Sequence, residues 1–236
     1  MNLSQRSTRP ELMDTESVSF EEFHECLHTL RIINTFTLAY RPTLRWFERM
    51  MAGVSSEQSL SVIDVGCGGG NMLRRIWKWA RKRHFDLELI GIDRNPWSKK
   101  SAEQDTPKDA PIRFETASVF SLDSSRCADF IVSSLFAHHL TDSELVRFIQ
   151  WMDLHATRGW FINDLHRHPV PYLFIKYALR SLSSDRINRH DGPVSVARAF
   201  TASEWRNVLE TAGIPPERTK IEWFFPFRYG VSCRKV

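Results

Sequence analysis

Ser61-Val62-Ile63-Asp64-Val65-Gly66-Cys67-Gly68-Gly69-Gly70 is the stretch on which the fold turns. A short apolar run ending abruptly in glycines predicts a buried strand that leads into a tight turn. Directly behind it, Leu73, Ile76, Trp77 and Ala80 stand at i, i+3, i+4 and i+7, the face of one helix. Leu87-Glu88-Leu89-Ile90-Gly91-Ile92-Asp93 then predicts a second strand that closes on a carboxylate. A turn without side chains lets a ligand approach the backbone, and the following helix offers unpaired N–H groups to an anionic tail. An acid ending the adjacent strand suits ribose hydroxyls. The series describes a pocket for a nucleoside carrying a negative group.

Two cofactor classes fit such a pocket. A dinucleotide fingerprint requires G-x-G-x-x-G/A, whose third small residue packs beside the pyrophosphate. Counted from Gly66, that position holds Asn71. A nicotinamide-binding or cofactor-free Rossmann-like domain is therefore the competing reading, and Asn71 weighs against it.

Outward from this unit the alternation of strand and helix continues. A helix is expected over 97–105, strands over 112–117 and 130–134, a helix over 142–154 and a strand over 159–164. Strands alternating with helices predict a parallel sheet covered on both faces. On the N-terminal side, apolar residues from Phe20 to Met51 recur at helical spacing and predict two helices broken near Arg41-Pro42. Residues 1–15 are polar and read as loose. Past residue 165 a mostly helical insert interrupts the pattern up to about 199. Thr201 with Glu204 reads as a capping box opening a helix that ends at Gly213. Two strands around the Pro226 turn close the chain.

Several further segments carry a resemblance. Val62–Gly70 resembles the first motif of class I S-adenosylmethionine-dependent methyltransferases, and Asp93 matches that family's ribose-binding acid. Arg113–Val119 sits where its third motif belongs. Asp129–Leu135, followed by His138-His139-Leu140, is similar to the fourth motif of the small-molecule branch. Phe200–Trp205 and Ala212–Ile214 resemble its C-terminal helix. The likeness spans residues 55–234, in order. It implies an α/β, Rossmann-like, seven-stranded, mostly parallel sheet whose last strand runs antiparallel. Residues 1–54 would form an N-terminal helical cap, 55–236 the methyltransferase domain, and about 167–198 a helical lid. S-adenosyl-L-methionine is the implied cofactor. Its contacts would come from Asp64, Gly66, Cys67, Gly68, Gly70, Asp93, Arg94, Ser118, Val119 and Ser134. Ser118 departs from the family, where an aspartate facing the adenine is commoner.

Aligning an acceptor on an electrophilic methyl group supplies several kcal/mol of the barrier, and a general base adds about 10²–10⁴-fold. His139, His166 and His190 are the candidates for that base. His138 and His139 follow the fourth strand, and His166 and His168 the fifth, at the edge where open α/β sheets bind ligands. Packing or helix capping near Thr141 and Asp142 is the competing role for the first pair. His190 lies in the insert beside Asp191, where loop placement competes. The site lacks the Asn/Asp-Pro-Pro-aromatic signature of many amino-group methylators, since Ser133-Ser134-Leu135-Phe136 stands there. It also lacks a Pro-Cys nucleophile. A hydroxyl acceptor on an aromatic or polyketide-like small molecule is favoured, as in bacterial methyltransferases of secondary metabolism.

Composition narrows the partners. Of 236 residues 25% are charged, and the formal net charge is +4, a mild excess that does not demand an anionic partner. The basic run Arg74-Arg75, Lys78 and Arg81–His84 is the best case for nucleic acid, but a solvated helix face explains it without a stacking platform. Four scattered cysteines suggest neither disulfides nor a zinc site, and no apolar run approaches membrane-spanning length. A cytoplasmic protein without stable membrane insertion is expected. Pro169–Leu182 is the one stretch suited to transient membrane contact. An RNA- or protein-directed methyltransferase, or a non-catalytic S-adenosylmethionine-binding module, are the alternatives.

Overall fold

The computed structural model describes residues 2–123, 126–182 and 185–235. Helices α1 (Leu12–Thr15), α2 (Phe20–Phe36) and α3 (Arg41–Met50) precede the first strand, β1 (Leu60–Val65). There follow α4 (Asn71–Arg81), β2 (Leu87–Asp93), α5 (Pro96–Asp105), β3 (Ile112–Thr116), β4 (Ala128–Ser134), α6 (Asp142–His155) and β5 (Ala156–Leu165). The insert forms α7 (Pro169–Leu182) and α8 (Arg186–Arg198). Then come α9 (Ala202–Thr211), β6 (Thr219–Phe224) and β7 (Arg228–Arg234). Residues 183 and 184 of the insert lie outside the described residues.

The sheet runs β3-β2-β1-β4-β5-β7-β6. β7 pairs antiparallel with both β5 and β6, and the other pairings are parallel, as expected for a class I methyltransferase fold. β1 lies between β2 and β4, so the order reverses there. A crevice opens at the carboxyl ends of strands at such a reversal.

Both faces of the central strands are apolar, because alternate residues point to opposite layers. On one face Trp46 and Phe47 of α3 meet Phe130 and Phe161. Trp46 stacks on Phe161 with centroids 5.3 Å apart. On the other face Ile63, Ile131 and Trp160 pack with Phe148, Met152 and Trp205, all essentially inaccessible. The break at Arg41-Pro42 falls where proline geometry predicts it, with Pro42 in the first turn of α3. The Thr201–Glu204 capping box forms.

The N-terminal residues are not loose. The Ser7 N–H donates to the Ala197 carbonyl, and Arg167, 5% exposed, donates to the Leu3 carbonyl. Asp191 caps α1 by accepting from the N–H groups of Leu12 (2.8 Å) and Met13 (3.0 Å). Local composition predicted mobility, and contacts more than 160 residues away in sequence override it. The basic helix α4 is also less solvated than its charges suggest. Arg74 is buried, donating to Asn71 Oδ1 at 2.7 Å and Thr106 Oγ1 at 3.0 Å. In the insert, α7 and α8 pack so closely that a Cβ on Gly192 would fall on the Leu179 side chain. Val170, Leu173, Phe174 and Tyr177 remain exposed on α7. No helix among the described residues is long and apolar enough to cross a membrane.

Candidate active site

The reversal between β1 and β4 opens into a cavity of about 750 Å³, within the roughly 300–1,000 Å³ usual for ligand pockets. Its floor is the glycine turn. Gly66 adopts φ +70°, and a Cβ there would lie 2.6 Å from the Phe136 ring, so the residue must lack a side chain for both reasons. The N–H groups of Gly66 and Cys67 donate to the Ile92 carbonyl, which binds the turn to the end of β2. Asp93 then accepts from the Gly68 N–H and the Asn95 N–H, each at 2.9 Å. Burial pushes the Asp93 carboxyl up despite these bonds.

Three polar atoms of the wall are buried and unpartnered: Asp64 Oδ1 on β1, Ser134 Oγ on β4 and the hydroxyl of Tyr40 ahead of α3. Burial, and after it the charge of Asp93, raise the Asp64 carboxyl well above its ordinary value. Beyond Ser134, Leu135 takes φ +58°, a conformation uncommon for a branched side chain, which turns the chain across the cavity. Ser118 caps the short turn Val119–Ser121 at the outer side.

Of the residues expected to hold a cofactor, Asp64, Gly66, Cys67, Gly68, Asp93, Arg94, Ser118, Val119 and Ser134 line this cavity. Gly70 lies behind the wall. Its φ of +70° starts α4, and a Cβ there would meet the Phe114 ring at 2.7 Å. Of the three histidines expected as a base, His139 lines the cavity. His166 and His190 do not. His166 packs on Tyr229 with centroids 4.7 Å apart, and Trp223 Nε1 donates to its Nδ1. His190 is held beside Asp191 at 2.7 Å and near Arg9.

The remaining wall was not legible as a site. Asp14 and Val18 come from the N-terminal segment, and Leu27, Asn34 and Tyr40 from α2 and the loop after it. Asp14 joins two other wall residues, lying 2.8 Å from Arg94 and 2.7 Å from His139 Nδ1. Burial works against its charge, yet the His139 bond and charge and then Arg94 bring its carboxyl down to about 2. For His139, burial lowers the ring's value, but the bond to Asp14 and the charges of Glu11, Asp14 and Asp164 push it up to about 9. His138 behind it sits 2.6 Å from Asp164, which also accepts from the His138 N–H. The segment around α1 carries one weak signal of this role: the carboxylates of Glu11, Asp14 and Glu16 in an otherwise unpatterned stretch.

Residues 62–159 match the family described as methyltransferase domain. No curated protein sequence matches the chain. Among solved structures, the plantazolicin methyltransferase BpumL in complex with SAH is similar over 86% of this chain and 87% of its own, at 17% identity and a TM-score of 0.63. Human N-acetylserotonin methyltransferase in complex with SAM aligns over 96% of this chain and 63% of its own, at 14% identity and 0.65. Magnesium protoporphyrin IX methyltransferase from Synechocystis PCC 6803, with bound SAM, aligns over 85% and 80%, at 15% and 0.55. At these identities the structural likeness is one of fold.

Proposed function

We propose, from the premise that this chain is a class I S-adenosylmethionine-dependent methyltransferase, that it methylates a hydroxyl group of a small, aromatic or polyketide-like molecule. The cofactor supplies an electrophilic methyl group. The observation that carries the reading is the cavity at the strand reversal, with a glycine-rich floor and three buried polar atoms lacking partners, those of Asp64, Ser134 and Tyr40. Asp64 Oδ1 accepts from a cationic amino group, and Ser134 Oγ offers both a donor and an acceptor. Asp93, fixed by the Gly68 and Asn95 N–H groups, keeps lone pairs for ribose hydroxyls. Ser118 and Val119 flank the nucleobase.

On the acceptor side, Leu27, Leu30, Met72 and Phe136 give an apolar lining that Asn34 and Tyr40 interrupt. That mixture suits a flat apolar body with a hydroxyl to orient. The Tyr40 hydroxyl is itself buried without a partner, and burial raises it. The acceptors named for the similar structures, plantazolicin, magnesium protoporphyrin IX and N-acetylserotonin, support a small-molecule class. Methyl transfer here depends on alignment, with acceptor oxygen, methyl carbon and leaving sulfur held in line. His139 is given the role of holding the N-terminal segment across the cavity, because its ring lies between Asp14 and Glu11. The α7–α8 insert and the N-terminal helices are assigned to shaping the acceptor side. The absence of a stacking surface on α4 favours this over nucleic acid, since its aromatics Trp77 and Trp79 are buried.

The test is release of S-adenosylhomocysteine from parallel panels of phenols, amines and carboxylic acids. Turnover with phenols alone is the expected result. Turnover confined to amines or carboxylates, or to RNA, would overturn the acceptor class. Failure to bind S-adenosylmethionine would overturn the site.

A further inference from the structure

We propose that Glu11, His138 and His139 form a binding site for a divalent transition-metal ion of the zinc type, which pins the N-terminal segment to the turn after β4. One ligand atom from each residue lies within 4.8 Å of the others. His138 Nε2 is 3.8 Å from Glu11 Oε1, and His139 Nε2 is 3.8 Å from Glu11 Oε2. The two rings lie side by side, with centroids 4.5 Å apart. Glu11 is 3% exposed and His138 2%, and Glu11 Oε1 has no hydrogen-bond partner. A buried carboxylate oxygen without a donor is costly, and Oε1 has only His138 Nε2 and Arg198 Nε near it, while Oε2 accepts from Ser195 Oγ at 2.9 Å and faces His139 Nε2.

The outer contacts set the ring tautomers. Asp164 Oδ1 lies 2.6 Å from His138 Nδ1, and Asp14 Oδ2 lies 2.7 Å from His139 Nδ1. A carboxylate at Nδ1 keeps a proton on that nitrogen and leaves the Nε2 lone pair for a metal, the arrangement usual around ligating histidines. Both Nε2 atoms are then directed to one shared carboxylate. Two imidazoles and a carboxylate suit zinc, while magnesium and calcium prefer oxygen alone. Bonds of about 2.0–2.1 Å in a tetrahedral site place ligand atoms about 3.4 Å apart. The 3.8 Å contacts close to that by small rotations of Glu11 and His139.

The charge around the cluster permits a cation. Glu11, Asp14 and Asp164 face the rings, against Arg94 on Asp14 and Arg198, whose Nε is 3.7 Å from Glu11 Oε1. Arg198 directs its N–H groups to the carbonyls of His138, His139 and Arg9. Arg6, also close by, is paired with Asp142. Zinc displaces the Nε2 proton that His139 carries beside Glu11 and Asp14; with both rings then neutral, the carboxylates of Glu11, Asp14 and Asp164 outnumber Arg94 and Arg198 by one. An ion here would tie residue 11 to residues 138 and 139 at the cavity wall.

The full-length chain, stripped with a chelator, is titrated with zinc chloride by calorimetry and melted with and without zinc. Cobalt(II) supplies the absorption spectrum of a tetrahedral nitrogen–oxygen site. One ion per chain, a raised melting temperature and tetrahedral cobalt bands are expected. Glu11→Gln and His139→Gln should weaken zinc binding more than tenfold, and Asp14→Asn, which weakens the outer contact to His139 and the pair with Arg94, by about 10–100-fold. No zinc uptake by the wild-type chain, or equal affinity in the folded variants, would overturn the site. Should Glu11→Gln fail to fold, the partly exposed His139 position decides the matter. Metal binding is read without turnover, so its failure would leave the methyl-transfer reading intact.

Discussion

Asp64→Asn is expected to make the ligand-free protein more stable while weakening its hold on the cofactor. Asp64 is 1% exposed, and its Oδ1 has no hydrogen-bond partner. An unsatisfied buried polar group costs about 1–3 kcal/mol, more when charged. The amide keeps the shape and removes the charge that Asp93 opposes. For a chain of this size each kcal/mol moves the melting temperature by about 2–4 °C, so a rise of about 2–12 °C follows. Burial and the Asp93 charge raise the Asp64 carboxyl in the folded state. A raised carboxyl weakens folding as pH climbs from its unfolded toward its folded value, so the variant's advantage should widen across that window. In the proposed site the same change removes a charge-assisted bond to the cofactor's amino group, worth about 1.5–3 kcal/mol, or roughly 10- to 100-fold in affinity. Scanning fluorimetry from pH 4 to 8 and calorimetry with S-adenosylhomocysteine read the two effects separately. A destabilised free protein, or unchanged affinity, would refute the reasoning.

Gly66→Ala should cost about 1–2 kcal/mol for its φ of +70° and about 1–3 more for displacing Phe136, read as a lower melting temperature with cofactor binding lost. Glu204→Gln should destabilise by about 1–3 kcal/mol, since Glu204 bonds Arg167 at 2.6 and 2.8 Å and closes the Thr201 cap. Burial raises the Glu204 carboxyl, but the bonds from Arg167 and Thr201 outweigh it and leave it low. Its contribution is therefore present at neutral pH and lost as pH falls through the folded value, where urea melts of the two proteins should converge. His166→Gln and His190→Gln should leave turnover within about twofold, because neither ring reaches the cavity; a fall of 100-fold or more would restore a base role.

The central unit was readable because local chemistry dictates it. A run such as Leu60–Val65 can only be a buried strand, and a turn with three glycines at positive φ admits few other residues. The seven-stranded sheet and its final antiparallel strand came from resemblance, and the observed sheet and the pairing of β7 agree. The wall supplied by residues 14–40 escaped for a physical reason. Asp14 and Glu11 are ordinary polar residues whose roles arise from partners at 94, 138 and 139. No periodicity encodes a contact between an unpatterned segment and a turn 125 residues away. Gly70 shows the converse: the glycine was recognised, but its neighbour is Phe114 rather than the cavity. The three histidines followed strands or lay in the insert, and sequence placed them near one edge without saying which way each ring would face.

The strap formed by residues 3–14 has a consequence for how the molecule assembles. Its anchors are Arg167, Asp191, Ala197 and Arg198, so the segment is synthesised long before the surface that receives it. Closing a loop of 192 residues carries an entropic cost of roughly 5 kcal/mol, which docking repays only after the sheet and α8 exist. The strap should therefore be the last piece to settle and the first to lift, exchanging its amide hydrogens well before β1 or β4. A nascent chain would expose an open crevice until synthesis had passed the insert, and cofactor captured earlier would then be sealed in when the strap docks.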